Sequence, residues 1–88
     1  MRPAEHQFGT TGFEDADALF VSALQGSQAP TTDQIQQAID VAVRAFGPSG
    51  CAGRVAQEFG DHPETATTRM RWARETLAGL AFRMRLAA

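Results

Sequence analysis

The sequence predicts an all-α domain of four helices, the last of them extended, and three observations carry that expectation. Apolar residues recur at helical spacing in four separate stretches. Each stretch follows a residue able to cap a helix start: Thr11, Thr31, Ser49 and Asp61. Glycine or a Gly-Pro pair closes the first three, at Gly26, Gly47-Pro48 and Gly60.

Residues 1–10 carry no periodicity and are expected to form a flexible arm ahead of a single helical domain spanning 11–88. Thr11 and Glu14 make a capping box, with Glu14, Asp15 and Asp17 in a first turn that suits negative charge. Phe13, Ala16, Leu19, Phe20, Ala23 and Leu24 follow, so helix 1 should run from about 12 to 25 and stop at Gly26. After a short linker, Thr31 opens a second helix, about 32 to 46, with Ile35, Ala38, Ile39, Ala42, Val43 and Phe46 on one face. Gly47-Pro48 ends it, because proline lacks the amide for the preceding turn and restricts its neighbour. Ser49 should cap helix 3, about 50 to 59, whose apolar residues are Cys51, Ala52, Val55, Ala56 and Phe59. Gly60 is expected to end it in the left-handed region. Asp61 and Glu64 form another capping box around Pro63, which is harmless in a first turn. Ala66, Met70, Ala73, Leu77, Leu80 and Met84 then give a continuous seam, so helix 4 should reach about Leu86, with Gly79 as its weak point.

Eighty-eight residues suffice for one modest core. Hydrophobic content of 43% with 20% charged residues suits a folded chain. No apolar run is long enough to span a membrane, and the polar N-terminus does not resemble a signal peptide. The single cysteine, Cys51, has no internal partner, so a cytoplasmic location is expected. The net charge of −2 conceals an asymmetry. Residues 1–43 carry one arginine against six acidic residues, and residues 44–88 carry seven arginines against four. A basic C-terminal half is expected if that half meets a polyanion; attraction between the halves is the other explanation.

The stretch from Arg54 to Leu77 holds the spacing of a helix-turn-helix: Ala56 for the helix crossing, Gly60 for the turn, and Ala66 to pin the second helix to the first. Val55-Ala-Gln-Glu-Phe-Gly60, then Thr65-Ala66, then Arg69-Met70-x-x-Ala73-Arg74-x-x-Leu77 resembles the region 4 helix-turn-helix of extracytoplasmic-function sigma factors, and more loosely LuxR-type DNA-binding domains. The resemblance covers about residues 32 to 77, with the helix-turn-helix at about 50–77. Asp61 replaces the usual apolar residue after the turn glycine, and His62-Pro63 is unusual there. Because 88 residues are too few for a whole sigma factor, the resemblance implies a stand-alone, small DNA-binding transcriptional regulator.

Double-stranded DNA is then the expected partner, with the recognition helix beginning near residue 62 and its outward residues reaching base edges. Those are Glu64, Thr67, Thr68 and Arg71: arginine suits guanine, glutamate can accept from cytosine, and threonine can meet a thymine methyl group. Arg44, Arg54, Arg69 and Arg74 are the candidate phosphate contacts, against the simpler reading of a solvated basic face. The alternative function is a non-enzymatic helical protein-interaction module, an adaptor of a transcription or regulatory complex, using the acidic N-terminal half.

Trp72 lies beside the seam and is expected to pack as core under helix 1 or 2, the alternative being part of a partner surface. A second apolar stripe on helix 4 suggests a homodimer through Leu80, Phe82, Met84 and Leu86, unless helix 1 covers it. Cys51, His6 and His62 have no metal-site spacing, so no metal or cofactor is expected, and Cys51 is read as a small buried side chain. No nucleophile-base arrangement or phosphate-binding glycine loop is present, which argues against an enzyme.

Overall fold

The structure, a computed structural model, describes residues 12–87, with side chains from residue 15 onward. The N-terminal arm and Thr11 lie outside the described residues, and the side chains of Phe13 and Glu14, on which the first apolar position and the capping box rest, lie outside the described side chains. Those described are all-helical, in three α-helices: α1 (Gly12–Val21), α2 (Thr32–Asp61) and α3 (Pro63–Ala87). A short 3-10 turn, Gly26–Gln28, sits between the first two. The whole measures 41 × 34 × 17 Å, a slab in which every helix touches the other two.

The core is one cluster drawn from all three helices. Ala16, Ala18, Leu19 and Phe20 come from α1, Ile35, Ile39, Ala42, Cys51 and Val55 from α2, and Ala66, Met70, Ala73 and Leu80 from α3. Most of the expected apolar residues of the first half of α2 and of α3 face this cluster, because both segments keep a single helical stripe. Ala23, Phe46, Ala52, Ala56, Phe59 and Met84 do not: all six are exposed.

α1 is shorter than its periodicity predicts. It ends at Val21 rather than near Gln25, and Gly26 is not its stop. Ser22 ends it: its Oγ donates to the Leu19 carbonyl at 2.7 Å and accepts from the Leu24 amide at 3.3 Å, which competes with a further helical turn. Gly26 is required for another reason. The Trp72 indole lies against it so closely that a Cβ there would stand 2.8 Å from the ring. The chain then turns through Ala29, which adopts a left-handed conformation (φ 49°, ψ 63°), and enters α2.

Thr31 opens α2 with a reciprocal capping box. Its Oγ1 accepts from the Gln34 amide at 3.1 Å, and Gln34 Oε1 accepts from the Thr31 amide at 2.8 Å. The expected break at Gly47-Pro48 exists but involves one residue. Gly47 takes φ 73°, ψ 165°, a region closed to other residues, and helical geometry resumes at Pro48. Proline restricts the preceding residue to extended ψ and is itself suited to a first helical position, so the Gly-Pro pair produces a kink without a loop. Ser49 is therefore inside a helical segment, not a cap ahead of one, and the two halves expected as separate helices form one kinked element. Two contacts clasp the kink: the Cys51 thiol donates to the Ala42 carbonyl at 3.7 Å, and the Arg54 guanidinium lies 3.9 Å above the Phe46 ring.

Replacing Gly26 with alanine should destabilise the fold by about 1–3 kcal/mol, since the indole it would strike is itself packed against the core. Urea unfolding followed by circular dichroism measures this, and a neutral result would contradict the close approach.

Candidate nucleic-acid interface

The junction between α2 and α3 is a single residue. α2 continues through Gly60 and Asp61; His62 leaves helical geometry at φ −140°, ψ 69°, and α3 starts at Pro63. The His62 amide donates to the Glu58 carbonyl at 2.7 Å, and the Ala66 amide donates to the His62 carbonyl at 2.9 Å, so both helices end in bonded turns on His62. Gly60 is helical, and Gly47 is the glycine with positive φ among the described residues. The left-handed Gly60 and the Asp61 cap are thus both corrected. The physical reason is that Pro63 fixes where the break falls: its ring forbids continuation of α2 and fits the start of α3.

Of the three residues expected to build a helix-turn-helix crossing, Ala66 is buried at 2% exposure, while Ala56 is exposed and Gly60 faces open space. The place of contact between α1 and the end of α2 falls at Phe59 instead, whose ring stacks on Phe20 with centroids 6.2 Å apart.

The predicted base-contact residues share one exposed side of α3. Glu64, Thr67, Thr68 and Arg71 are all exposed, opposite the buried Ala66, Met70 and Ala73. Thr67 Oγ1 donates to the Pro63 carbonyl at 2.8 Å, which restricts its rotamer.

The predicted phosphate contacts have different settings. Arg44, Arg54 and Arg74 are exposed, Arg44 and Arg54 on opposite halves of α2. Arg74 lies close enough to Asp17 to act on it: burial raises the Asp17 pKa, and the Arg74 charge partly opposes the rise. Arg69 departs from its expected role. Its Nε donates to the Phe20 carbonyl at 3.0 Å, and its Nη2 donates to the carbonyls of Ser22 at 3.0 Å and Leu19 at 3.3 Å. Its guanidinium also lies 4.3 Å over the Trp72 ring. Burial lowers its pKa, yet a guanidinium keeps its charge, so a cation is fixed at the C-terminal end of α1, where the helix dipole favours it.

Two hollows flank this part of α3. One, of about 450 Å³, is lined by Phe20, Val21, Arg54, Gln57, Glu58 and Thr65 above Ala66 and Arg69. The other, of about 390 Å³, is lined by Phe59, Thr67, Met70, Arg71, Arg74 and Glu75. Sequence reasoning missed both the inward turn of Arg69 and the exposed aromatic Phe59. The signal for Arg69 was its phase: it stands two positions before Arg71, roughly 200° around the helix, so the two cannot serve one face.

Among the described residues, the acidic side chains of the N-terminal half do not form a single presented surface. Asp15 is buried in the core and Asp17 half-buried, while Asp33 and Asp40 are exposed on α2. Cys51 is buried, as its setting among small residues predicted; its thiol pKa is raised by burial and by Asp17, with Arg54 opposing. Among the described residues no group of three His, Cys, Asp or Glu side chains is placed to hold a metal ion, and no helix is long and apolar enough to cross a membrane. Comparison with protein-family models, with curated proteins and with solved structures finds no match for the chain.

Two substitutions test this description. Arg69→Ala should lower stability by about 2–3 kcal/mol, the loss of charged hydrogen bonds at a helix end, whereas Arg71→Ala should stay within about 0.5 kcal/mol of the parent. Equal effects in thermal unfolding would contradict the different settings of the two arginines. Gly60→Ala should stabilise by about 0.5 kcal/mol because the residue is helical and open to solvent, and a loss instead would point to a left-handed turn at that position.

Proposed function

We propose that the protein is a small, non-enzymatic DNA-binding regulator that places the first half of α3 in the major groove. One observation carries this reading. Glu64, Thr67, Thr68 and Arg71 stand together on the exposed side of a helix whose opposite side is locked into the core by Ala66, Met70 and Ala73. A helix used to read base edges needs that combination of a rigid inner side and a polar, uncovered outer one. Arg71 would address guanine through its forked donors, and Glu64 a cytosine amine. Arg44, Arg54 and Arg74 would supply phosphate contacts; Arg69 has its donors committed to α1 and would act only by holding the fold. The resemblance to sigma-factor region 4 over 55–77 supports the same reading.

A second reading has its own observation. The hollow lined by Phe59, Met70, Arg71 and Arg74 offers apolar area beside positive charge, as a module that grips an acidic, apolar segment of another protein would. In that case the first half of α3, and not the acidic residues of α1, forms the interacting face.

Fluorescence anisotropy with a random-sequence duplex separates the two. DNA binding predicts micromolar affinity at low salt, with log K falling against log salt at a slope of about −3 for three neutralised phosphates. Binding should be lost in the Arg71→Ala, Arg74→Ala double variant. No binding at low salt would end the DNA reading in favour of the protein-binding one.

A further inference from the structure

The four residues expected to form a dimer interface fall on two different sides of α3. Leu80 is fully buried in its own chain, and Met84, four residues on, continues that inner side past the edge of the core. Phe82 and Leu86 lie on the opposite side, with exposures of 54% and 70%. Their side of the helix also carries Glu75, Ala78, Gly79 and Arg85, all exposed.

We propose that this outer side of α3 packs antiparallel against the same side of a second copy of the chain, about a twofold axis near residue 80. The face is complementary to its own reversed image, which is what an isologous contact requires. Residues 78 and 82 are equally distant from 80, so the Phe82 ring of each copy lies over Ala78 of the other. Gly79 beside it has nothing within 4 Å of where a Cβ would be, which leaves room for a ring and a close helix approach. Residues 75 and 85 are also equally distant from 80, so Glu75 of each copy meets Arg85 of the other, two opposite-charge pairs at the ends of the contact. A parallel arrangement would set Glu75 against Glu75 and Arg85 against Arg85. The antiparallel pair covers α3 from about residue 73 onward, Arg74 included, and leaves Glu64 to Arg71 clear of the partner helix.

With two apolar side chains per copy the contact is small and belongs to the weak, reversible class. Sedimentation equilibrium of the full chain from micromolar to millimolar concentration should therefore give a mass rising from monomer toward dimer. Phe82→Ser should hold the mass at monomer while leaving the circular dichroism spectrum unchanged, because Phe82 is outside the core. Glu75→Arg and Arg85→Glu should each weaken association, by about tenfold if both symmetry-related pairs are lost, and their combination should restore it. A wild type that stays monomeric throughout would overturn the proposal, as would association that survives Phe82→Ser or a double reversal that stays as weak as the single ones.

Discussion

The arrangement of the three helices depends most on the Arg69 guanidinium at the end of α1. A ten-residue helix has three or four terminal carbonyls without intrahelical partners, and in a core this small they cannot be left dry. Arg69 reaches three of the carbonyls at that end from α3, across about fifty residues of sequence, and the Trp72 ring supports its other side. Trp72 in turn lies against Gly26, where the chain leaves α1. The set of Arg69, Trp72 and Gly26 thus fixes the position of α1 on α3 by hydrogen bonds and close contact, where apolar burial alone would allow it to slide, while Ser22 sets its length.

The kink at Gly47 makes that contact reachable. An unbroken 30-residue α2 would carry its last turns about 20 Å beyond the first half, away from α1. Turning at one residue brings Val55 into the shared core and Phe59 against Phe20. The start of α3 follows one residue after α2 ends, so the direction of the second half of α2 and the facing of Glu64 to Arg71 are set together. The exposed side of α3 and the core geometry are coupled through two prolines, Pro48 and Pro63, each at the first position of a helical segment.

α3 then serves two environments along its length. Its inner stripe is core from Ala66 to Leu80, and its outer stripe changes from polar at Glu64, Thr68 and Arg71 to apolar at Phe82 and Leu86. A helix of roughly 37 Å on a slab 17 Å thick has room for separate uses at its two ends. The change in chemistry falls near Ala78 and Gly79.

The sequence by itself determined the all-helical class, the capped start at Thr31, the break at Gly47-Pro48 and the inner stripe of α3, because each rests on residues close together in the chain and on rules of backbone sterics and helical phase. It also placed Glu64, Thr67, Thr68 and Arg71 on an exposed face, since Ala66, Met70 and Ala73 fixed the opposite one. It misjudged the end of α1, the conformation of Gly60 and the role of Arg69. Ser22 carries no strong local stop signal, Gly60 is compatible with helix and turn alike, and Arg69 has the composition of a surface residue. Which carbonyls an arginine meets is decided by residues distant in sequence, and only the tertiary structure brings Leu19, Phe20 and Ser22 within its reach.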